Sequence, residues 1–292
     1  MGFRWPVPAV AFVSSALVAL LVAACAEGSN AEPEGEGDAD AGAVEAAALP
    51  PRPEAGEPEP ETDAGDEDAG PSVSPACAAA LDKAKFDFEG SDQGWTHRAS
   101  DNAESQTSWP FDPWTRGTAT TITCPDGECW GSERNQNYAQ CGRGELISPK
   151  IDLLACKDAT VSLVFTHAYA FWTGNVNGQD WFDGGIVEIS KDGGATWEVP
   201  QAAYPGTVKI LGSRGGYNCV LPNAFHVHGK SGFTEAQPAP TAFEIEIPAA
   251  SLTANMRVRF SQASGVSTAV NGHAREGTAA GWRIDDLHFE AK

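Results

Sequence analysis

The sequence predicts an all-β protein, an antiparallel jelly-roll β-sandwich. Three observations carry that reading: apolar residues recur at the two-residue period of strands in eight or nine short runs, the connections between runs are rich in turn-forming residues, and no convincing amphipathic helix interrupts them. The stretch 181–197, WFDGGIVEISKDGGATW, states the pattern most clearly. Ile186, Glu188 and Ser190 alternate with Val187 and Ile189. Asp192, Gly193 and Gly194 then supply a tight turn that tolerates positive φ, and Thr196, Trp197 and Val199 resume extended backbone. A lone hairpin cannot bury these apolar side chains, so it predicts a larger sheet.

Taken in order, the chain begins with a basic start at Arg4, an almost unbroken apolar run from Ala9 to Ala24, and Cys25. That is how a secretion signal reads. Val22-Ala23-Ala24-Cys25 resembles the bacterial lipobox. The resemblance implies a signal peptide over 1–24, cleavage before Cys25, and lipid on that cysteine, which anchors the protein to a membrane of the cell envelope. Ala26, a non-aspartate, is compatible with the outer membrane. Residues 25–76 form an acidic segment of mainly Ala, Glu, Asp, Gly and Pro with Arg52 as its one basic residue, which predicts an extended tether with little to bury. Overall there are 40 acidic against 19 basic side chains and a formal charge of -21, which argues against nucleic acid as a partner.

The folded domain is expected over 77–292. Phe86–Gly90 reads as a short strand and Gly94–His97 as a second extended piece. Residues 100–143 are rich in Ser, Thr, Asn, Gly and Pro and read as a long loop insert stapled by Cys124, Cys129 and Cys141. Glu145–Leu154 follows, and then Thr160–Phe171, in which Val161, Leu163, Phe165, His167, Tyr169 and Phe171 share one face. Val208–Leu211 is a further apolar piece. Phe243, Ile245 and Ile247 alternate with Glu244 and Glu246, while Arg257 and Arg259 separate Met256, Val258 and Phe260. These two strands are expected to have one wet face and to pair as neighbours, carboxylates beside guanidiniums. The last strand, Trp282–Phe289, changes register at Asp285-Asp286, as a bulge requires.

Ser190–Trp197 also matches the Asp-box turn of sialidase-like propellers. It occurs once, whereas a propeller repeats its blade signature. Phe86–Gly90, Ser148-Pro149-Lys150-Ile151-Asp152, the 181–197 hairpin and Gly281–Asp286 fall in the same order as in the MAM-like jelly-roll domains that accompany secreted metallopeptidases of the immune inhibitor A type. The resemblance spans about Phe86 to Phe289. It implies a non-catalytic accessory sandwich, often with structural calcium; the zinc domain of those enzymes carries His-Glu-x-x-His, a motif absent from this sequence.

The function expected is that of a non-catalytic surface lipoprotein, a calcium-stabilised module that binds a glycan or a protein. Trp109, Trp114, Trp130, Tyr138 and Trp172 are the candidate ligand-binding residues, since aromatics in or beside loops can stack on sugar rings or anchor a partner. Glu89, Asp92 and Asp286 are the candidate Ca2+ ligands, with Asp285 a weaker one. The alternative is an extracellular hydrolase using a carboxylate pair such as Asp180 with Asp183, but Gly-x-Ser-x-Gly is absent and no catalytic residue is assigned. His226 and His228 are read as surface histidines rather than zinc ligands. Cys77, Cys124, Cys129, Cys141, Cys156 and Cys219 predict three disulfides in an oxidising compartment, with 15 pairings open and Cys124–Cys129 a candidate small loop.

Overall fold

A computed structural model describes residues 73–99, 112–214, 217–219, 226–266 and 278–292. The leader, Cys25, the tether up to residue 72 and Trp109 therefore lie outside the described residues, while 75–76, expected as the end of the tether, open a helix instead. A helix, α1 (Pro75–Lys83), precedes the strands. Ser74 caps it through a bond from Cys77 N, and Pro75 fits the first turn, where no N–H partner is needed. Being short, with alanine at four of its nine positions, it left no amphipathic pattern in the sequence.

The strands are β1 (Thr96–Ala99), β2 (Trp114–Gly117), β3 (Cys129–Ser132), β4 (Arg143–Ile147), β5 (Val161–Ala170), β6 (Thr173–Val176), β7 (Gln179–Phe182) and β8 (Gly184–Ser190). They continue as β9 (Gly206–Thr207), β10 (Ser213–Arg214), β11 (Tyr217–Asn218), β12 (Ser231–Thr234), β13 (Ala236–Ile247), β14 (Arg257–Ala263) and β15 (Gly281–Ala291). One sheet has the order β1-β4-β14-β8-β12-β9 and the facing sheet β13-β5-β15-β3-β2, while β6/β7 and β10/β11 form small hairpins. All pairings within the two large sheets are antiparallel. From β4 through β5, β8, β13 and β14 to β15, each long strand lies in the sheet opposite its predecessor. This is the wrapping of a jelly roll.

The core lies between the sheets. Alternation sends Val161, Leu163, Phe165, His167 and Tyr169 inward from β5, Val187 and Ile189 from β8, Val258 and Phe260 from β14, and Trp282 and Ile284 from β15. Phe165 meets Phe260 at 5.1 Å and Phe233 meets Trp282 at 5.2 Å between ring centroids. His167 accepts a bond from Trp282 Nε1 (3.2 Å), and burial lowers its pKa to about 4, so it is a neutral part of the core. Gly185 lies under the Trp282 indole, where an added Cβ would approach Cζ3 to 2.3 Å.

Several sequence expectations need correction. Phe86–Gly90 is no strand but a single bridge, Phe86 to Leu287, which still sets the start of the domain beside the last strand. The 100–143 insert is no mere loop: it supplies β2 and β3 to the five-stranded sheet, because Trp114 and Trp130 are large apolar side chains that the interior takes up. Phe243–Ile247 and Met256–Phe260 are not neighbours. They lie in opposite sheets, so Arg259 of β14 finds its carboxylates on β4 and β8 instead. The second arm of the 181–197 hairpin is reduced to one bridge between Ile189 and Glu198.

The expected bulge is present: β15 shifts register between Asp285 and His288, with Asp286 at φ 48. The three disulfides are Cys77–Cys156, which ties α1 to the sandwich, Cys124–Cys129, and Cys141–Cys219. The last holds a second cluster of Ile186, Val208, Ile210, Val227, Ala263 and Val266.

Candidate ligand-binding cleft

The turn after β8 fixes the position of one tryptophan. Ser190 Oγ donates to Asp192 Oδ1 (2.7 Å) and accepts from Gly194 N (2.7 Å), while Asp192 accepts from Thr196 N (2.9 Å) and Thr196 Oγ1 (2.6 Å). The Thr196 bonds and the Ser190 hydroxyl hold the Asp192 carboxyl well below the usual carboxylate range. Gly193 (φ +78) and Gly194 (φ +101) take the left-handed backbone that this turn requires. As a result Ile189 and Glu198 exchange backbone bonds of 2.8 and 3.0 Å, and the Trp197 indole is laid over the Arg259 guanidinium at 4.3 Å.

Arg259 stands on the face of the six-stranded sheet that points away from the core, between two buried carboxylates. Its Nε donates to Glu188 Oε2 (2.8 Å) and its NH1 to Glu145 Oε1 (2.9 Å), and Ser261 Oγ also donates to Glu188 Oε2 (2.9 Å). The glutamate side chains are only 3% and 1% exposed at positions 145 and 188. Arg98 Nε reaches Glu145 Oε2 (2.9 Å) and Lys230 Nζ reaches Glu188 Oε1 (3.1 Å). His226 Nε2 lies 3.5 Å from Glu188 and 4.0 Å from Glu145. Burial pushes the Glu188 carboxyl up, but His226, Arg259 and Lys230 outweigh it and hold the pKa at about 2. Glu188 is thus an ionised anchor and a poor proton donor.

Beside this network lies a cleft of about 430 Å³, lined by Trp197, Pro200, Ala202, Tyr204, Lys230 and Ser231 among others. Tyr204 stacks on Phe243 (5.7 Å) and meets the edge of Phe233 (5.4 Å). Its hydroxyl is buried without a hydrogen-bond partner among the described residues. A rigid indole, a phenol and an ammonium around one hollow can take a ligand that offers both apolar faces and acceptors.

The aromatics expected to bind are mostly elsewhere. Trp114, fully buried, packs against Trp282 (6.1 Å), and Trp130 is buried beside His97 (5.3 Å). Tyr138 is buried with its hydroxyl donating to Asp183 Oδ2 (2.8 Å) and accepting from Trp172 N (2.7 Å). These three fill the interior that the insert helps to build, so they are no surface platforms. Trp172 is half-buried. Trp197 and Tyr204 were missed as site residues, although the Asp-box turn was the available signal for Trp197: a turn that bonds to itself so thoroughly fixes the residue that follows it.

The acidic residues sort differently from expectation. Asp92 is taken by Arg116 Nε (2.9 Å). Glu89 Oε1 accepts from Glu128 N (2.7 Å) and crowds Gly127, and Asp285, fully buried, accepts from Asp126 N (3.2 Å) and Asp286 N (3.0 Å). Burial, with Asp286 and Glu89 nearby, raises Asp285 to about 7. Burial and then Asp126, Asp87 and Glu89 raise Asp286 as well. Among the described residues no three His, Cys, Asp or Glu side chains are already gathered as an ion would hold them.

The Asp180 and Asp183 pair is not an acid and base couple. Asp180 bonds to Asn175 Nδ2 (2.8 Å), whereas Asp183 is buried between Tyr138 and Gly265 N (2.7 Å) and is raised by burial to about 7. His228 Nδ1 accepts from Ile210 N (3.0 Å) while His226 faces the glutamates, so the two imidazoles serve separate partners.

No family model matches the chain and no curated protein matches it. Among solved structures, the K2 cleaved adhesin domain of Lys-gingipain is 14% identical, with 70% of this chain and 96% of that one covered at a TM-score of 0.32. The CBM22-2 xylan-binding domain of Xyn10C from Paenibacillus barcinonensis is 11% identical, with 72% and 99% covered at a TM-score of 0.33.

Proposed function

We propose that this protein is a non-catalytic glycan-binding module, held on a bacterial cell envelope by lipid on Cys25 and carried clear of the membrane by its acidic tether. The observation that supports binding is the cleft in which a self-bonded turn holds Trp197 over Arg259, facing Tyr204 and Lys230. Such a platform is ordered before the ligand arrives, which lowers the entropic cost of capture. The buried carboxylates next to it are committed to Arg259, which supports binding over acid and base chemistry. The anchor rests on Val22–Cys25 in the sequence.

The test uses the full chain carrying Cys25→Ser, screened on a glycan array and by native electrophoresis through polysaccharide gels. Capture is expected and should be lost in Trp197→Ala; no capture of any glycan overturns the reading. Labelling of the unmodified chain with a clickable palmitate analogue tests the anchor, and label surviving in Cys25→Ser refutes it.

A structural Ca2+ belongs to the same proposal. The support is the gathering of Glu89, Asp285 and Asp286 where the first turn meets the last strand: burial first, and neighbouring carboxylates second, disfavour the ionised form of both aspartates, and a divalent cation would favour it. Asp92 is outside this set because Arg116 holds it. Added CaCl2 should raise the melting temperature over that in EDTA, and Asp285→Asn should blunt the rise; identical melting with and without calcium removes the ion.

A further inference from the structure

The hairpin β6/β7 carries an aromatic strip that the cleft does not use. Its register pairs Gly174 with Trp181 and Val176 with Gln179, so those four residues share one face, while Asn175, paired with Asp180, and Thr173, paired with Phe182, point to the other. Gly174 has no side chain, and the Trp172 indole fills the space: a Cβ there would meet Trp172 Cζ2 at 2.3 Å and Cη2 at 2.7 Å. The Trp172 ring therefore lies over Gly174, the cross-strand partner of Trp181, with one side packed on the core, and both indoles are half-buried with an edge left to solvent.

The backbone beneath is held firmly. Asp183 N donates to Trp172 O (3.0 Å) at the base, Trp172 N donates to the buried Tyr138 hydroxyl (2.7 Å), and Asn175 bonds to Asp180 and to Gly178 N across the far end. The strip residues Trp172, Val176, Gln179 and Trp181 carry no ionisable group.

We infer that the Trp172 and Trp181 strip is a second carbohydrate site, which takes the flat face of a neutral, β-linked pyranose chain. A chain with equatorial linkages is a ribbon whose C–H faces lie flat, and two indoles on the same face of one hairpin, one over Gly174 and one on its cross-strand partner, offer that ribbon two successive apolar contacts. An uncharged strip on a chain of formal charge -21 disfavours polyanions. The polar groups at the far end of the hairpin, Asn175, Asn177, Gln179 and Asp180, disfavour insertion into lipid, since that end would have to enter the membrane first. The inference rests on the glycan-binding reading above and gives it a ligand class and a second contact.

The experiment is native electrophoresis of the full Cys25→Ser chain in gels containing hydroxyethylcellulose or barley β-glucan, with amylose and polygalacturonate gels as comparison. The β-linked neutral polymers are expected to retard the protein. Trp181→Ala should weaken that binding about tenfold. Gly174→Val should do the same while keeping both tryptophans, because its Cβ displaces the Trp172 ring. Circular dichroism and melting temperature of both variants verify that they fold.

Retention of full binding by folded Trp181→Ala, with loss in Trp197→Ala, overturns the strip and leaves the cleft standing. Loss in Trp181→Ala with full retention in Trp197→Ala supports the strip and removes the cleft. Equal retardation by amylose overturns the flat-ribbon ligand. Sedimentation with phosphatidylglycerol vesicles that Trp181→Ala abolishes overturns it in favour of a lipid surface.

Discussion

Replacing Arg259 by Met tests the charge network under the cleft. Met keeps most of the volume of the stem but removes the guanidinium that bonds both Glu188 and Glu145. Both carboxylates are almost wholly buried, so each loses a compensating charge while remaining out of water. Breaking a buried pair in this way costs about 3–5 kcal/mol. For a domain of this size that corresponds to a melting temperature lower by roughly 6–20 °C, at ~2–4 °C per kcal/mol.

Urea unfolding of the full Cys25→Ser chain, followed by tryptophan fluorescence, measures the midpoint shift. The triple variant Glu145→Gln, Glu188→Gln, Arg259→Met should recover most of the loss, because it leaves no buried carboxylate without a cation, and Arg98 and Lys230, which also lose a partner, are exposed enough to be solvated. Glycan capture should stay weak in both variants, since Trp197 no longer rests on a cation. An Arg259→Met protein within about 1 kcal/mol of the parent, below the cost of any such broken pair, would refute the reasoning. The pH dependence has a definite sign. Glu188 is held at about 2, below its ordinary 4.5, so its contribution is present above pH 4.5 and disappears as pH falls towards 2.

Three further outcomes follow from the geometry. Gly185→Ala places a methyl against Trp282 in the middle of the core and should destabilise by about 1–3 kcal/mol, read from the urea midpoint. Asp183 and Asp285 are raised to about 7 from 3.8, so their contribution is complete below pH 3.8 and is lost as pH rises through 7; Asp183→Asn should flatten that fall in a melting series from pH 4 to 8, and an unchanged slope counts against it. Removing Cys141–Cys219, which closes 78 residues, should cost about 4.5 kcal/mol against about 2 for Cys124–Cys129, which closes 5; equal losses in the double Cys→Ala variants would contradict a loop-entropy origin.

Much of the fold was legible because strand alternation is a local property. The inward set of β5 and the bulge at Asp285-Asp286 could be read residue by residue, since side-chain direction follows from position alone. Pairing is not local. Glu244 and Glu246 looked like natural partners for Arg257 and Arg259, yet the chain crosses to the other sheet between them, and nothing in either stretch encodes that step.

The candidate site failed for a related reason. Trp114 and Trp130 sit among polar loop residues in the sequence and are interior in space, because two short strands from the insert extend the sheet that covers them. Trp197 looked like core and instead lines a cleft, since Ser190, Asp192 and Thr196 bond to one another within the turn before it and leave the indole over Arg259.

The position of β15 has a consequence for how the molecule is made. It is the last strand in order and yet the middle one of its sheet, between β5 and β3. Until it arrives, β5 and β13 stand as one ribbon and β2 and β3 as another, and the pairings that join these two halves into a sheet do not exist. Such a topology forms slowly, because loops of over a hundred residues must close before any contact compensates for them. The five-stranded sheet thus stays in two pieces until the final strand has been made, and a deletion of β15 should leave neither piece able to cover the core.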